Sequence, residues 1–131
     1  GHPDVFVLSM QGEKNFPHHR VPSDLDVDLP DGTEDAAYLR ALAEHLPAVF
    51  DFRPDLVLYQ AGVDPLAEDR LGRLSLTLDG LAKRDRLVLT ECRSRGIPVA
   101  LGLGGGYANP IELSVQAYAN TYAVAKDVYR F

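Results

Sequence analysis

Three short apolar runs punctuate the chain: residues 5–10 (VFVLSM), 55–61 (DLVLYQA) and 97–103 (IPVALGL). Each is rich in strand formers, the pattern of a parallel-sheet strand buried on both faces. A fourth segment, residues 24–29, alternates Leu25, Val27 and Leu29 with aspartates and predicts a half-exposed edge strand. Between these runs the apolar residues recur at helical spacing. Tyr38, Leu39, Leu42, Leu46 and Val49 predict a helix capped by Thr33, with Glu34 and Asp35 in its first turn and Pro54 beyond its end. A second helix is predicted over residues 77–95, burying Leu81, Val88, Leu89 and Cys92 and stopped by Gly96, with Pro98 beyond. A third opens with Asn109 as cap and Pro110 as first helical residue, and sets Ile111, Val115, Tyr118 and Tyr122 on one face.

Strands alternating with helices predict an α/β fold with a mostly parallel sheet and right-handed crossovers. No repeat, linker or low-complexity stretch interrupts it, so residues 1–131 read as a single domain. A strand so close to residue 1 is unusual, because termini tend to fray, and it predicts a further segment upstream. A parallel sheet lacking its upstream part would present an open flank of unpaired backbone groups. The chain is therefore expected to self-associate or to pair with a missing N-terminal half.

Composition sharpens this picture only at its edges. With 46% hydrophobic and 24% charged residues the chain is an ordinary globular mixture. Its net charge of −6 argues against direct nucleic-acid binding, which calls for a basic surface. No apolar run approaches the ~20 residues of a membrane-spanning helix, and no signal peptide is evident. The lone Cys92 excludes an internal disulfide and favours a reducing compartment, so the expected location is the cytoplasm.

In open parallel sheets, ligands bind beyond the carboxyl ends of the strands. Two candidates stand there. Asp64 follows the run ending at Ala61, and Tyr107 follows the run ending at Leu103 and a triple glycine, Gly104-Gly105-Gly106. A carboxylate and a phenol on one rim, beside glycines that admit close backbone approach, make a catalytic pair. The bland alternatives are a turn-forming aspartate before Pro65, a packing tyrosine and a structural glycine turn. The glycines do not match G-x-G-x-x-G, which disfavours a dinucleotide site.

Three stretches carry a family resemblance. AGVDPLAEDRLGRLSLT (61–77) resembles the metal-binding loop of histone deacetylases and bacterial acetoin-utilisation-type deacetylases. LGGGY (103–107) resembles the glycine loop bearing the family's catalytic tyrosine, and FVLSMQGEKNFP (6–17) with DGTEDAAYL (31–39) matches in order and spacing. The class IV and bacterial branch is the nearest in flavour. The resemblance implies a three-layer arginase/deacetylase-like fold, present in part, with helices on both faces of the sheet. It implies Asp64 as a zinc ligand and Tyr107 as the group that polarises the acyl carbonyl. It further implies Phe16 and Leu71 at the wall and rim of an acyl-lysine tunnel and Gly105 and Gly106 at its floor. The resemblance also implies that Ser9 and the Met10 carbonyl form part of a structural potassium site near the zinc. The substrate implied is an acyl-lysine or an acylated small molecule.

The chain departs from the family pattern in one respect. The D-x-H motif, which supplies two zinc ligands, does not occur, and neither do the general-base histidines. His18 and His19 lie in the loop after the first strand, but adjacent histidines point apart and read as a solvated pair. One aspartate cannot hold catalytic zinc, so the expectation is an inactive C-terminal half of a deacylase. The alternative from a different class is a non-catalytic binding or assembly module that keeps the half-fold. A nucleotide-binding half-sheet is disfavoured, because Asp64 would repel phosphate.

Overall fold

The computed structural model describes all residues from Gly1 to Phe131. Its elements run β1 (Leu8–Gly12), β2 (Leu25–Leu29), α1 (Asp35–Asp51), β3 (Val57–Gln60), α2 (Leu78–Ser94), β4 (Val99–Gly102) and α3 (Glu112–Tyr129). The strands form two parallel pairs. β1 lies beside β2 with Leu8 opposite Leu25, and β3 beside β4 with Val57 opposite Val99. All four point the same way. Phe6 and Phe52, just before β1 and β3, bring their ring centroids to 5.7 Å. Past the other ends, Gly32 N–H donates to Arg73 O and Ser75 N–H to Thr33 O, joining the loops after β2 and β3.

One hydrophobic cluster unites both pairs. Leu8, Met10, Val27 and Leu29 from the first pair and Val57 and Tyr59 from the second pack on Tyr38, Leu42, Leu46, Leu81 and Val88. A smaller cluster joins Leu89 of α2 to Val124, Ala125 and Val128 of α3, under Tyr59, Val99 and Leu101. The opposite face of β3 and β4 is open: Leu58 is 77% exposed, and Ala100 is also exposed. The α/β class and parallel order are as expected, and of the three layers this chain supplies the sheet and one helical layer.

Tertiary pairing moved several boundaries. β1 starts three residues later than the apolar run suggests, because Val5 N–H turns back to His2 O and pairing with β2 begins at Val7. β3 and β4 are shorter than their runs and are covered on one face only. Thr33 is not the cap of α1. Its hydroxyl donates to Pro30 O at 2.7 Å, and Glu34 takes the cap position without a side-chain bond. Pro47 lies inside α1, which runs on to Asp51. Thr77 does cap α2, accepting from Gly80 N–H at 3.0 Å, and Gly96 beyond the helix has φ +66°.

The start of α3 departs furthest from the sequence reading. Asn109 and Pro110 form a turn, and the helix begins at Glu112 with Ile111 as cap. Its buried face is Ser114, Ala117, Thr121, Val124, Ala125 and Val128. Ile111, Val115 and Tyr122 stay exposed. Small residues win that face because α3 packs closely along α2, and because Thr121 reaches the buried carboxylate of Asp85 at 2.5 Å. No helix is long and apolar enough to cross a membrane.

Candidate active site

The loop after β3 carries Asp64, and the loop after β4 carries Tyr107; a third aspartate ties them together. Asp69 is only 6% exposed. Its Oδ1 accepts from the amides of Leu71 (2.9 Å) and Gly72 (2.8 Å), and its Oδ2 accepts from the amide of Tyr107 (2.8 Å). Around it the two loops pair as short antiparallel backbone. Arg70 N–H donates to Tyr107 O and Asn109 N–H to Glu68 O, both at 3.0 Å. A carboxylate accepting three backbone amides fixes both segments far more firmly than side-chain packing alone.

Close approach is enforced by glycines. A methyl group on Gly62 would lie 2.9 Å from Asp64 Oδ1 and 3.5 Å from Gly104 O, so the aspartate and the glycine loop are neighbours. Gly105 and Gly106 hold φ of +71° and +108°, which side chains disfavour. A methyl on Gly106 would also press to 2.9 Å from Val63 and 3.3 Å from Ser114. Tyr118 of α3 steadies the turn, its hydroxyl accepting from Gly104 N–H (3.1 Å) and lying 2.7 Å from Gly104 O. Tyr107 itself is 48% exposed at the rim, its hydroxyl free of any hydrogen bond within the chain.

The Asp64 carboxylate takes no hydrogen bond from any other residue. Burial pushes it above the ordinary value of 3.8 against the pull of its own backbone amide, and the nearby Asp69 adds to the rise while Arg84 opposes it. A folded pKa above the unfolded one means that the folded state holds more protons through that window. Stability therefore falls as pH rises from about 3.8 upward. In the metal-free chain, kept in chelator, Asp64→Asn is expected to be more stable than wild type at pH 7 and to lose that advantage below the window. An unchanged or lower Tm at pH 7 would show that Asp64 is well solvated.

The other candidates are spread more widely. Phe16 is 86% exposed and meets His18 edge-on, with centroids 6.2 Å apart. Leu71, on the Asp69 turn, is exposed, as are His18 and His19. Ser9 donates its hydroxyl to Gln11 Oε1, and Gln11 Nε2 in turn donates to Asp28 at 2.9 Å. Met10 is half-buried in β1. Zinc takes three or four protein ligands. No three His, Cys, Asp or Glu side chains converge anywhere in the chain, so its residues alone do not fit the metal.

Sequence reasoning missed Asp69, Gly72 and Tyr118. Asp69 had a signal, since an aspartate three residues before a glycine is an Asx-turn pattern. Tyr118 had none, because its partner lies 14 residues away and only the fold brings them together.

A family model described as the histone deacetylase domain matches residues 1–123. The chain belongs to the histone deacetylase family. A protein of Picosynechococcus sp. with no characterised function is 48% identical over 128 residues, covering 97% of this chain and 43% of that protein. Histone deacetylase 2 of Arabidopsis thaliana is 37% identical over 107 residues, 79% of this chain and 28% of the plant protein. The chain thus spans less than half the length of these relatives. Among solved structures, an HDAC homolog crystallised with SAHA superposes with a TM-score of 0.69 at 27% identity, over 96% of this chain and 40% of that one. An acetylpolyamine aminohydrolase from Burkholderia pseudomallei shares the fold, with a TM-score of 0.78 at 21% identity over 98% of this chain and 40% of that one.

Proposed function

We propose that this chain is the Asp64- and Tyr107-bearing part of a zinc-dependent deacylase that hydrolyses an acyl-lysine or a similar acyl amide. The observation that carries the reading is the Asp69 carboxylate, which grips the amide of Tyr107 and the loop of Asp64 at once. Family membership supports the reaction class. In this reading the Tyr107 hydroxyl donates to the acyl oxygen as negative charge builds there in the tetrahedral transition state. The glycines at 105 and 106 leave room for the acyl group, and Phe16 and Leu71 offer apolar surface to a lysine stem. Asp64 provides one metal ligand. Zinc would polarise the acyl carbonyl, and its other ligands have to come from outside these 131 residues.

The test is hydrolysis of an acetyl-lysine peptide. The chain alone is expected to give no turnover. Combined with zinc and with the region of the Picosynechococcus relative that it does not match, it is expected to hydrolyse the peptide. Tyr107→Phe in that assembly should lower kcat by about 10²–10³. Turnover by the purified chain alone, or an undiminished kcat in Tyr107→Phe, would overturn the assignment.

A further inference from the structure

Residues 62–64 lead from β3 into the Asp64 loop, and little main-chain bonding holds them. Ala61 N–H makes the last ladder bond of the β3–β4 pair, to Gly102 O at 3.0 Å. The next bond, from Leu66 N–H to Val63 O at 3.2 Å, is a turn within the loop itself. Between them a single hydrogen bond arrives from another element: Arg84 of α2 donates Nη1 to Gly62 O at 2.6 Å. Gly62 also touches both sides of the site. A methyl group on it would lie 2.9 Å from Asp64 Oδ1 and 3.5 Å from Gly104 O. Where Arg84 holds Gly62 therefore governs how far Asp64 stands from the glycine loop that leads to Tyr107.

Arg84 is itself immobilised. It is 4% exposed, and its Nε donates to Asp85 Oδ1 at 2.9 Å, with Nη2 equally close to that oxygen. Asp85 is held in turn by the hydroxyls of Tyr59 in β3 (2.6 Å) and Thr121 in α3 (2.5 Å). The guanidinium also stands 5.9 Å from the centre of the Tyr59 ring. The donor to Gly62 is thus fixed against β3, α2 and α3 at once. Stability alone does not account for such a pair. Desolvation offsets most of the attraction, and an apolar pair of similar volume does as well. What arginine adds is geometry: a planar fork whose nitrogens reach a carboxylate and a carbonyl in fixed relative directions. A lysine has one charged nitrogen and serves the carboxylate or the carbonyl.

We propose that Arg84 is a positioning residue, which sets Asp64 against the Gly104–Tyr107 loop by holding Gly62 O. It acts separately from Asp69, which grips the amides of Leu71, Gly72 and Tyr107 further along. One device holds the loop where it leaves β3, and the other holds it where it meets Tyr107. The competing explanation is packing, since Val63 and Leu66 are both 0% exposed.

The assignment deepens the catalytic reading, and only the kinetic part of its test rests on that reading. Two variants separate position from stability. Arg84→Lys keeps a positive charge beside Asp85. Arg84→Met combined with Asp85→Asn removes both charges, so that neither is buried alone. In the chain by itself, both should speed exchange of the Leu66 amide at least tenfold, as loss of a charge-assisted hydrogen bond does. The Tyr107 amide should exchange as in wild type, because Asp69 is untouched. In the zinc-loaded assembly with the unmatched Picosynechococcus region, kcat should fall at least tenfold at unchanged KM. If one variant fails to fold, the other carries the test. Wild-type exchange at Leu66 would mean that packing holds the loop, and equal quickening at Leu66 and Tyr107 would mean general loosening; either overturns the proposal. So does an unchanged kcat in an assembly whose wild type turns over. An assembly in which the wild type gives no turnover sinks the catalytic reading, and exchange at Leu66 then decides whether Arg84 holds the loop.

Discussion

Arg84→Met is expected to cost about 3–5 kcal/mol of stability, as removal of one partner from a buried ion pair does. Asp85 is 1% exposed and sits at the centre of a closed network. Arg84 Nε and Tyr59 OH donate to its Oδ1 at 2.9 and 2.6 Å, and Thr121 donates to its Oδ2 at 2.5 Å. Arg84 also donates from Nη1 to Gly62 O at 2.6 Å, which ties the loop of Asp64 to α2. Burial, partly offset by Arg84 and reinforced by Asp85, holds the Tyr59 hydroxyl well above its usual range, so it stays a donor. Methionine fills much of the arginine volume but leaves a carboxylate uncompensated away from water. Urea unfolding should show a lower midpoint at unchanged slope. Adding Asp85→Asn should recover much of the loss, because the uncompensated charge is then gone. A single-variant loss below about 1 kcal/mol would mean that water reaches Asp85 and that the pair behaves as a surface one.

Gly72→Ala is expected to be the most damaging methyl addition in the site. Its Cβ would lie 2.1 Å from the backbone oxygen of Asp64 and 3.1 Å from the carbonyl carbon. A flexible side chain could move aside, but here the obstacle is the main chain of Asp64. Gly72 N–H is also held by Asp69 at 2.8 Å, so the turn cannot shift without releasing that bond. The cost should reach about 3 kcal/mol, the upper end of ordinary overpacking. Faster exchange of the Tyr107 amide should accompany it, since Asp69 links the two loops. Exchange at Tyr107 unchanged in a destabilised Gly72→Ala chain would show that the loops are held independently.

The residues alone gave the order of elements, the parallel α/β class and the rim on which Asp64 and Tyr107 stand. That is because strand and helix periodicities, and the rule that sites lie past strand ends, are local signals. The cap of α2 was equally local: Thr77 and Gly80 are three residues apart. The buried face of α3 was not. Its most apolar residues, Ile111, Val115 and Tyr122, stay outside, while Ser114, Ala117 and Thr121 go in, because close approach to α2 rewards small side chains and Asp85 draws in a hydroxyl.

Motif likeness also located Tyr107 without saying what holds it there. Asp69 lies 38 residues away along the chain, and only folding sets its carboxylate against the tyrosine amide. The same holds for the two separate strand pairs. Hydrophobic runs mark strands, but not which edges find partners, since pairing depends on where the crossovers carry each strand. Local chemistry therefore decided what the elements are and which residues follow the strand ends, and long-range packing decided how tightly those loops are joined and which strand edges remain open.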